Sequence, residues 1–240
     1  MYLLMEVKLE QNEVLYNIPI NNPEIIELLE EWSEFLHTNY DTIKKHISLS
    51  RHETHPGAGV EHSYLEHIRS KGAGHDGFPE MDHMYNIRPD YLKYRVEVPE
   101  AKALADSIRD AYTSFNNNMC TTLGIRRNAL CALYPPNGYI GWHNNANASS
   151  YNLIFTYSSE GDGYWEHVNP YTNKIERIQD VKGWQCKASY FGSYSENNPT
   201  SLVYHSAKCG ESGFRATVSW IFDREHKEWW LESLEEIKSD

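Results

Sequence analysis

Apolar residues in the first half of the chain recur at helical spacing in two segments. Pro23 begins the first segment, and its apolar positions are Ile25, Ile26, Leu28, Leu29, Trp32 and Leu36. Pro99 begins the second segment, and its apolar positions are Ala103, Leu104, Ile108, Ala111 and Tyr112. Proline is favoured in the first turn of a helix, and an apolar stripe of this kind faces a core. The pattern therefore predicts two amphipathic helices, beginning at Pro23 and Pro99.

After Gly124 the pattern changes to short runs in which apolar and polar residues alternate. Eight strand candidates follow one another, separated by turn residues: NALCALYPP, GYIGWHNN, YNLIFTY, GYWEHV, KIERIQDV, QCKASYFG, SLVYHSA and FRATVSWIF. A period of two is typical of strands whose two faces meet different surroundings. A series of short strands like this predicts a jelly roll or barrel, preceded by helices that buttress one of its sheets.

These patterns divide the chain into three parts that we expect to form one compact unit. Residues 1–124 supply supporting helices and loops, residues 125–224 the strands, and residues 225–240 a closing cap. Residues 51–90 hold six histidines and many glycines with little periodicity, which predicts long surface loops. Because loops on a rigid scaffold often carry recognition elements, we expect this segment and residues 157–164 to contact the substrate.

Charge and cysteine content narrow the classes of partner. The 240 residues include 22 basic and 34 acidic side chains, which gives a net charge of −12. An acidic surface repels phosphate backbones, so the charge disfavours nucleic acid and favours a neutral or cationic small molecule or a peptide. The four cysteines lie at least 11 positions apart, which excludes a CxxC pair and predicts reduced, buried thiols. No apolar run approaches the roughly 20 residues of a membrane span, so we expect no membrane partner and a cytoplasmic location.

The segment GYIGWHNN holds the first candidate metal ligands. Strand side chains alternate between faces, so Tyr139, Gly141, His143 and Asn145 are predicted to share one face. A histidine and a carboxylate at this spacing can present two ligands to one cation, and a later histidine can complete a facial triad with open positions. A single strand histidine, in contrast, is more often a hydrogen-bonded core residue than a ligand.

The last strand candidate, FRATVSWIF, combines an apolar face with a face that carries an arginine. Arg215, Thr217 and Ser219 alternate with large apolar residues, which is unusual for a strand that faces solvent. A guanidinium on a buried face can bind a carboxylate of a diacid through two parallel hydrogen bonds, and a neighbouring hydroxyl can add a third. His205 lies ten residues before Arg215, so two strands joined by a short loop would bring them together.

From Ala132 to Phe222 the chain resembles the iron(II)- and 2-oxoglutarate-dependent oxygenase superfamily. The residues that carry the resemblance follow in the family's order: Tyr134, the turn Pro135-Pro136-Asn137-Gly138, His143-Asn144-Asn145, His205 and Arg215-Ala216-Thr217. The step of nine residues from Tyr134 to His143 is similar to that of the AlkB-like branch, whose substrates are alkylated bases. Each motif is short, and the order, spacing and strand facing together make the resemblance specific.

The resemblance implies an α+β protein with a double-stranded β-helix core. It implies that His143, Asn145 and His205 hold Fe(II), and that Arg215 and Thr217 bind the distal carboxylate of 2-oxoglutarate. Tyr134 and Asn152 would add hydrogen bonds to this cosubstrate. The implied cofactors are Fe(II), 2-oxoglutarate and O2. The implied reaction converts 2-oxoglutarate to succinate and CO2 while a substrate C–H bond is oxidised, most often by hydroxylation.

Asn145 departs from the family pattern, which has a carboxylate at this position. An amide oxygen is neutral and binds a hard cation more weakly than a carboxylate does. Four interpretations are open: Asn145 ligates the metal or orients a water in a working hydroxylase; it leaves a place for an anion, as in the related halogenases; it is an engineered replacement of aspartate; or the protein binds without turnover. Glu160, Asp162 and Glu166 are candidates for a substitute carboxylate.

Two other classes of protein remain as alternatives. A cupin-like metal enzyme would use the histidines without 2-oxoglutarate, and Arg215 would then be incidental. A ligand-binding jelly roll without metal would draw on the 17 tyrosines and 7 tryptophans for its contacts. Neither class accounts for His143, His205 and Arg215 occurring together in this order.

Overall fold

The computed structural model describes residues 14–50, 57–72, 79, 81–92, 98–125, 127–145, 148–196 and 201–240. The helices in these ranges are α1 (Pro23–His46), α2 (His62–Lys71), α3 (Pro99–Thr122) and α4 (Lys227–Lys238). The strands that precede α3 are β1 (Tyr16–Ile18), β2 (Asp82–His83) and β3 (Tyr85–Asn86). The strands that follow α3 are β4 (Asn128–Tyr134), β5 (Tyr139–His143), β6 (Ser150–Ser158), β7 (Tyr164–Asn169), β8 (Lys174–Gln179), β9 (Gly183–Phe191), β10 (His205–Lys208) and β11 (Arg215–Asp223).

The strands form two antiparallel sheets, so the protein combines helices with antiparallel sheets as predicted. The larger sheet has the order β1-β9-β6-β11-β4-β3, and the smaller has the order β2-β5-β10-β7-β8. Along the chain, β4, β6, β9 and β11 belong to the larger sheet, and β5, β7, β8 and β10 to the smaller. The short strands β1, β2 and β3 from the first part of the chain pair at sheet edges.

The outer face of the larger sheet packs against the helices. The helices α1 and α3 begin at Pro23 and Pro99, as the apolar pattern predicts. The indole of Trp32 in α1 stacks between the rings of Phe35 and Phe115, at centroid distances of 5.4 and 5.1 Å. From the sheet, alternate residues of the β11 region enter the same core, namely Phe214, Ala216, Val218, Trp220 and Phe222. The helices therefore cover one face of the larger sheet, and its other face points toward the smaller sheet.

The prediction of long loops over residues 51–90 is wrong where the structure describes this segment. Helix α2 occupies His62–Lys71, and its residues Tyr64, Leu65 and Ile68 pack against Trp142 of β5. The indole nitrogen of Trp142 donates a hydrogen bond of 3.1 Å to the backbone oxygen of Val60. This helix is stabilised by contacts with a distant strand, which local periodicity in a ten-residue segment does not reveal. Three of the six histidines, at positions 52, 55 and 75, lie outside the described residues.

The closing segment forms α4, whose residues Trp230, Leu234 and Ile237 are buried in the helical core. Asn22 joins this helix to α1. Its side-chain oxygen accepts from the backbone N–H groups of Glu24 and Ile25, at 3.0 and 3.2 Å, while its amide nitrogen donates to Glu236 at 2.9 Å. A cap of this kind satisfies N–H groups that a helix start leaves open. Among the described helices, none is at once long enough and apolar enough to cross a membrane.

Candidate active site

A cavity of about 600 Å³ lies between the inner faces of the two sheets. Seven of its lining residues are those that the sequence singles out, namely Tyr134, His143, Asn145, Asn152, His205, Arg215 and Thr217. The larger sheet also contributes Ser219, Ile221 and Ile154, and the smaller contributes Ile140, Trp165 and Ala207. The fold therefore brings together side chains that lie up to 83 positions apart, from Tyr134 to Thr217.

The two histidines face each other across neighbouring strands. His143 ends β5 and His205 begins β10, the two residues pair directly in the ladder, and their ring centroids are 4.1 Å apart. The Nδ1 atom of His143 lies 2.8 Å from the carbonyl oxygen of Gly141, and that of His205 lies 3.0 Å from the carbonyl oxygen of Val203. A carbonyl oxygen only accepts, so each Nδ1 carries the hydrogen and each Nε2 carries the lone pair that can bind a metal.

Burial keeps His205 in the neutral form that binds metals. Its ring is stacked between Trp165 and Phe191, at centroid distances of 4.9 and 4.6 Å. Desolvation holds the pKa of His205 well below its usual range, and the neighbouring His143 acts in the same direction. Because protons compete with metal ions for imidazole nitrogen, a neutral ring at neutral pH favours metal binding.

A bulge determines which residues of β5 face the cavity. The pairing between β5 and β10 shifts after His205, so that Ala207 lies opposite Ile140. Ile140 consequently lines the cavity beside His143, and Tyr139 does not. The ring of Tyr139 lies instead against Gly59, which is outside the cavity lining, so that a Cβ added to Gly59 would be only 2.7 Å from it. The prediction that Tyr139 shares the face of His143 is therefore wrong, because simple alternation holds only for a regular ladder.

Asn145 is half-buried, is the second residue after β5 and lines the cavity. The three candidate substitute carboxylates have other partners. Glu160 approaches Lys182 at 3.9 Å, Asp162 accepts from Ser212 at 3.1 Å, and Glu166 accepts from Arg177 at 2.8 Å. Across the described ranges, the only group of three or more His, Cys, Asp or Glu side chains with ligand atoms mutually within 4.8 Å is Asp223, Glu225 and His226, two of them exposed. No described carboxylate thus joins the two histidines.

His167 is a third histidine in the same row of the smaller sheet. It pairs with His205 across β7 and β10, and its Nε2 lies 3.3 Å from a carboxylate oxygen of Glu176 on β8. It does not belong to the lining of the cavity. Burial lowers its pKa, and Glu176 opposes that shift. His167 therefore has a structural partner in Glu176.

Arg215 is fully buried and held by three neighbours. Its Nε donates to Asp180 at 2.8 Å, one Nη donates to Thr217 at 2.6 Å, and the other Nη donates to Thr156 at 3.3 Å. Its guanidinium carbon lies 5.4 Å from the centre of the Tyr134 ring. An arginine has five N–H donors, so one on each Nη remains beyond these three hydrogen bonds within the described structure. Such a pair can bind a carboxylate at the cavity surface.

Tyr134 and Asn152 contribute neutral polar groups to the cavity. Burial raises the pKa of Tyr134, an effect that the Arg215 guanidinium partly offsets, so the phenol keeps its proton. The amide nitrogen of Asn152 donates to the backbone oxygen and the hydroxyl of Ser150, at 2.9 and 3.1 Å. Both groups therefore offer hydrogen bonds to a ligand without adding charge.

Two sets of polar residues near the site escape prediction from the sequence. Asp180 and Lys187 lie beside Arg215, fully buried. Asn144 donates a hydrogen bond of 3.2 Å to the hydroxyl of Tyr194, and the Tyr194 hydroxyl lies 2.9 Å from that of Tyr204. Because Asn144 follows His143 and Tyr204 precedes His205, these contacts link the segments that carry the two histidines. On β9, Cys186 and Ala188 pack in the core with the helices, and alternation places Lys187 on the other face of the strand. This alternation is the signal that could have marked Lys187 as facing inward.

The two segments expected to contact the substrate differ in their position relative to the cavity. From residues 51–90, Pro79 and Arg88 line the cavity, and so does Tyr91, the residue just after this segment. No residue of the range 157–164 does so, although this range is described throughout. Tyr157 instead contacts His37 and Phe214 on the helical side of the larger sheet. The range 157–164 thus lies outside the cavity lining, and its contact with a substrate stays a prediction.

Comparisons with known proteins give distant structural similarity. No family model matches the chain, and no curated protein matches it in sequence. A prolyl-4-hydroxylase from Pseudomonas putida is 14% identical, with 79% of this chain and 99% of that chain covered and a TM-score of 0.31. The viral collagen prolyl hydroxylase from Paramecium Bursaria Chlorella virus-1 is 13% identical, with 73% of this chain and 94% of that chain covered and a TM-score of 0.28. A full-length Neurospora crassa protein solved in complex with alpha-KG is 10% identical, with 86% of this chain and 73% of that chain covered and a TM-score of 0.34. TM-scores this low do not establish a common fold or function.

Proposed function

We propose that the chain is an iron(II)- and 2-oxoglutarate-dependent oxygenase with a double-stranded β-helix core. The observation that carries the proposal is the joint placement of His143, His205 and Arg215 on one cavity between two sheets. Two imidazoles suit a divalent transition metal, and a buried guanidinium suits a carboxylate. A site with both kinds of group fits a metal together with a dicarboxylate.

The strand order supports the fold assignment. From β4 to β11, successive strands change sheet at every step except from β7 to β8, and the ladders pair β4 with β11, β5 with β10, β6 with β9, and β7 with β8. Two antiparallel sheets connected in this way form a double wall around a central space, as in jelly rolls. The histidines then stand on one wall and Arg215 on the other.

The residues present fit Fe(II), with a weaker third ligand than usual. His143 and His205 would bind through their Nε2 atoms, and Asn145 would contribute its amide oxygen or orient a water. When bound, the metal would supply the activation of O2 for oxidation of a substrate C–H bond. The protein's own contribution is to orient the two rings through Gly141 and Val203 and to surround His205 with the aromatic rings of Trp165 and Phe191.

The remaining groups fit 2-oxoglutarate. Arg215 would bind the distal carboxylate with its two remaining N–H groups, beside the hydroxyls of Thr217 and Tyr134. Pockets that bind small ligands enclose about 300–1,000 Å³, so the cavity of about 600 Å³ also leaves room for part of a substrate. The substrate class stays a small molecule or a peptide side chain, oxidised while 2-oxoglutarate is converted to succinate.

Metal binding by matched histidine variants tests the proposal. Fe(II) is titrated anaerobically into the native protein, into His205→Ala and into His167→Ala, and the heat of binding is recorded. We expect the native protein and His167→Ala to bind one metal ion with similar affinity, and His205→Ala to lose binding. In air, the native protein should then release succinate from 2-oxoglutarate. Equal Fe(II) binding by His205→Ala would contradict the proposed metal site.

A further inference from the structure

The ion pair between Arg215 and Asp180 raises a question about anion binding. Asp180 lies in the turn after β8, its side chain is completely buried, and its Oδ2 accepts from the Arg215 Nε at 2.8 Å. A carboxylate at this distance cancels most of the positive charge of the guanidinium. A neutral pair attracts a second carboxylate only weakly, since removing that carboxylate from water is costly. A positive charge directly beside the ion pair would offset this loss.

Lys187 provides that charge. It lies on the inner face of β9 with a completely buried side chain, and its Nζ is 4.0 Å from the Oδ1 of Asp180. The same Nζ donates a long hydrogen bond of 3.4 Å to Gln185. The Oδ1 of Asp180 has no hydrogen bond within the described structure. Lys187, Asp180 and Arg215 thus form a buried cluster with two cations and one anion.

Three buried titratable neighbours do not change this balance. Burial raises the pKa values of Tyr134, Cys186 and Cys209, so all three are neutral at pH 7. The net charge of the cluster is therefore +1. An isolated net charge is unfavourable in a protein interior, and an anion at the two open N–H groups of Arg215 would compensate it.

The backbone fixes the position of the carboxylate in the cluster. The N–H of Asp180 donates to the carbonyl oxygen of Gly163 at 2.9 Å. A Cβ at Gly163 would lie 2.6 Å from the Asp180 Oδ2, 2.7 Å from the backbone oxygen of Lys208 and 3.5 Å from the Arg215 Cδ. Residue 163 must consequently be glycine, both for the ion pair and for the close approach of β10.

We propose that Lys187 determines the affinity for the distal carboxylate of 2-oxoglutarate, by offsetting Asp180 so that Arg215 keeps a positive charge for the ligand. Asp180 is a positioning residue, which holds the Arg215 guanidinium with its two Nη groups toward the cavity. Lys187 does not line the cavity and acts through charge alone. This assignment rests on the proposed function, since it concerns the same cosubstrate.

A charge cycle tests the assignment by binding alone. The protein is loaded with Mn(II), and 2-oxoglutarate is titrated by calorimetry into the native protein, Lys187→Met, Asp180→Asn and the double variant. The cluster charges are +1, 0, +2 and +1, respectively. Asparagine keeps an oxygen that can accept from the Arg215 Nε, and methionine is close to lysine in length. Lys182→Met is the matched control, because Lys182 is exposed and only 3.9 Å from Glu160.

We expect Lys187→Met to bind 2-oxoglutarate about tenfold more weakly than the native protein, in line with a charge interaction at partly screened distance. Asp180→Asn should bind at least as tightly as the native protein, the double variant should recover nearly native affinity, and Lys182→Met should be unchanged. 2-Oxovalerate, which has a methyl group in place of the distal carboxylate, should bind Lys187→Met and the native protein equally.

Two outcomes overturn the assignment. Native affinity in Lys187→Met would show that its charge is not felt by the ligand. A double variant as weak as Lys187→Met, or weaker, would show that Lys187 acts through packing and not through charge. If the native protein itself binds Mn(II) but no 2-oxoglutarate, the proposed function fails first, and this result is distinct from both.

Discussion

Replacing Lys187 by methionine should make the protein more stable while it weakens cosubstrate binding. Burial lowers the pKa of Lys187 from 10.5 to about 8, the nearby Arg215 adds to this shift, and Asp180 opposes it. One pKa unit corresponds to about 1.36 kcal/mol, so keeping this ammonium charged in the folded state costs about 3 kcal/mol at pH 7. Its side chain is completely buried, so solvent screening does not reduce this figure. Methionine fills similar space without a charge.

The pH dependence has a defined sign. Below about pH 8 the lysine is charged in both states and its full cost is present. Between about pH 8 and 10.5 only the unfolded chain holds the proton, so stability rises with pH through this window and the cost disappears above it. Burial raises the pKa values of Cys131, Cys186 and Cys209, which lowers stability over the same range. The difference between Lys187→Met and the native protein removes these shared contributions.

The assay is reversible urea denaturation of both proteins from pH 6.5 to 10.5, followed by circular dichroism. At pH 7 we expect Lys187→Met to be more stable by about 3 kcal/mol, which for a chain of this length raises Tm by roughly 6–12 °C. The advantage should shrink steadily above pH 8. A loss of stability at pH 7, or a difference independent of pH, would refute the assignment of Lys187 as a buried, charged lysine.

Three further predictions concern the metal, the ion pair and the core. Asn145→Asp should bind Fe(II) at least about tenfold more tightly in anaerobic calorimetry, because a carboxylate adds a negative charge to the ligand set; unchanged affinity would place residue 145 away from the metal. Gly163→Ala should weaken both 2-oxoglutarate and Mn(II) binding, since its Cβ would lie 2.6 Å from the Asp180 carboxylate and 2.7 Å from the backbone oxygen of Lys208 in β10, the strand that begins at His205; native affinity for both ligands would contradict this close approach. Trp220→Ala removes a fully buried indole that donates to Asn116 at 3.0 Å, and should cost about 3–5 kcal/mol in urea denaturation; a cost below about 1 kcal/mol would contradict its place in the core.

The periodic parts of the sequence predict the fold well. The stripes after Pro23 and Pro99 become α1 and α3, because long amphipathic helices are specified by their own pattern. The eight alternating runs become β4 to β11 for the same reason. All seven residues that their order and spacing single out line one cavity, and their roles there stay predictions.

Features that depend on contacts between distant segments could not be predicted. Helix α2 packs against Trp142 of β5. The bulge in the pairing of β5 with β10 turns Tyr139 away from the face that carries His143. Neither leaves a local mark, because a regular period is assumed until a partner strand is known. Asp180 is a similar case, since a polar residue in a turn is ordinarily exposed. Its burial follows only from its contact with Arg215 on another strand.

The measurement that tests the central claim most directly is the visible absorption of the anaerobic complex. Apo-protein is loaded with Fe(II), 2-oxoglutarate is added without O2, and the spectrum is compared with those of Arg215→Met and Asn145→Asp. The account predicts a weak charge-transfer band in the native protein, lost in Arg215→Met at the same ligand concentration and retained in Asn145→Asp. Absence of the band in both the native protein and Asn145→Asp at saturating metal would contradict a 2-oxoglutarate site formed by His143, His205 and Arg215.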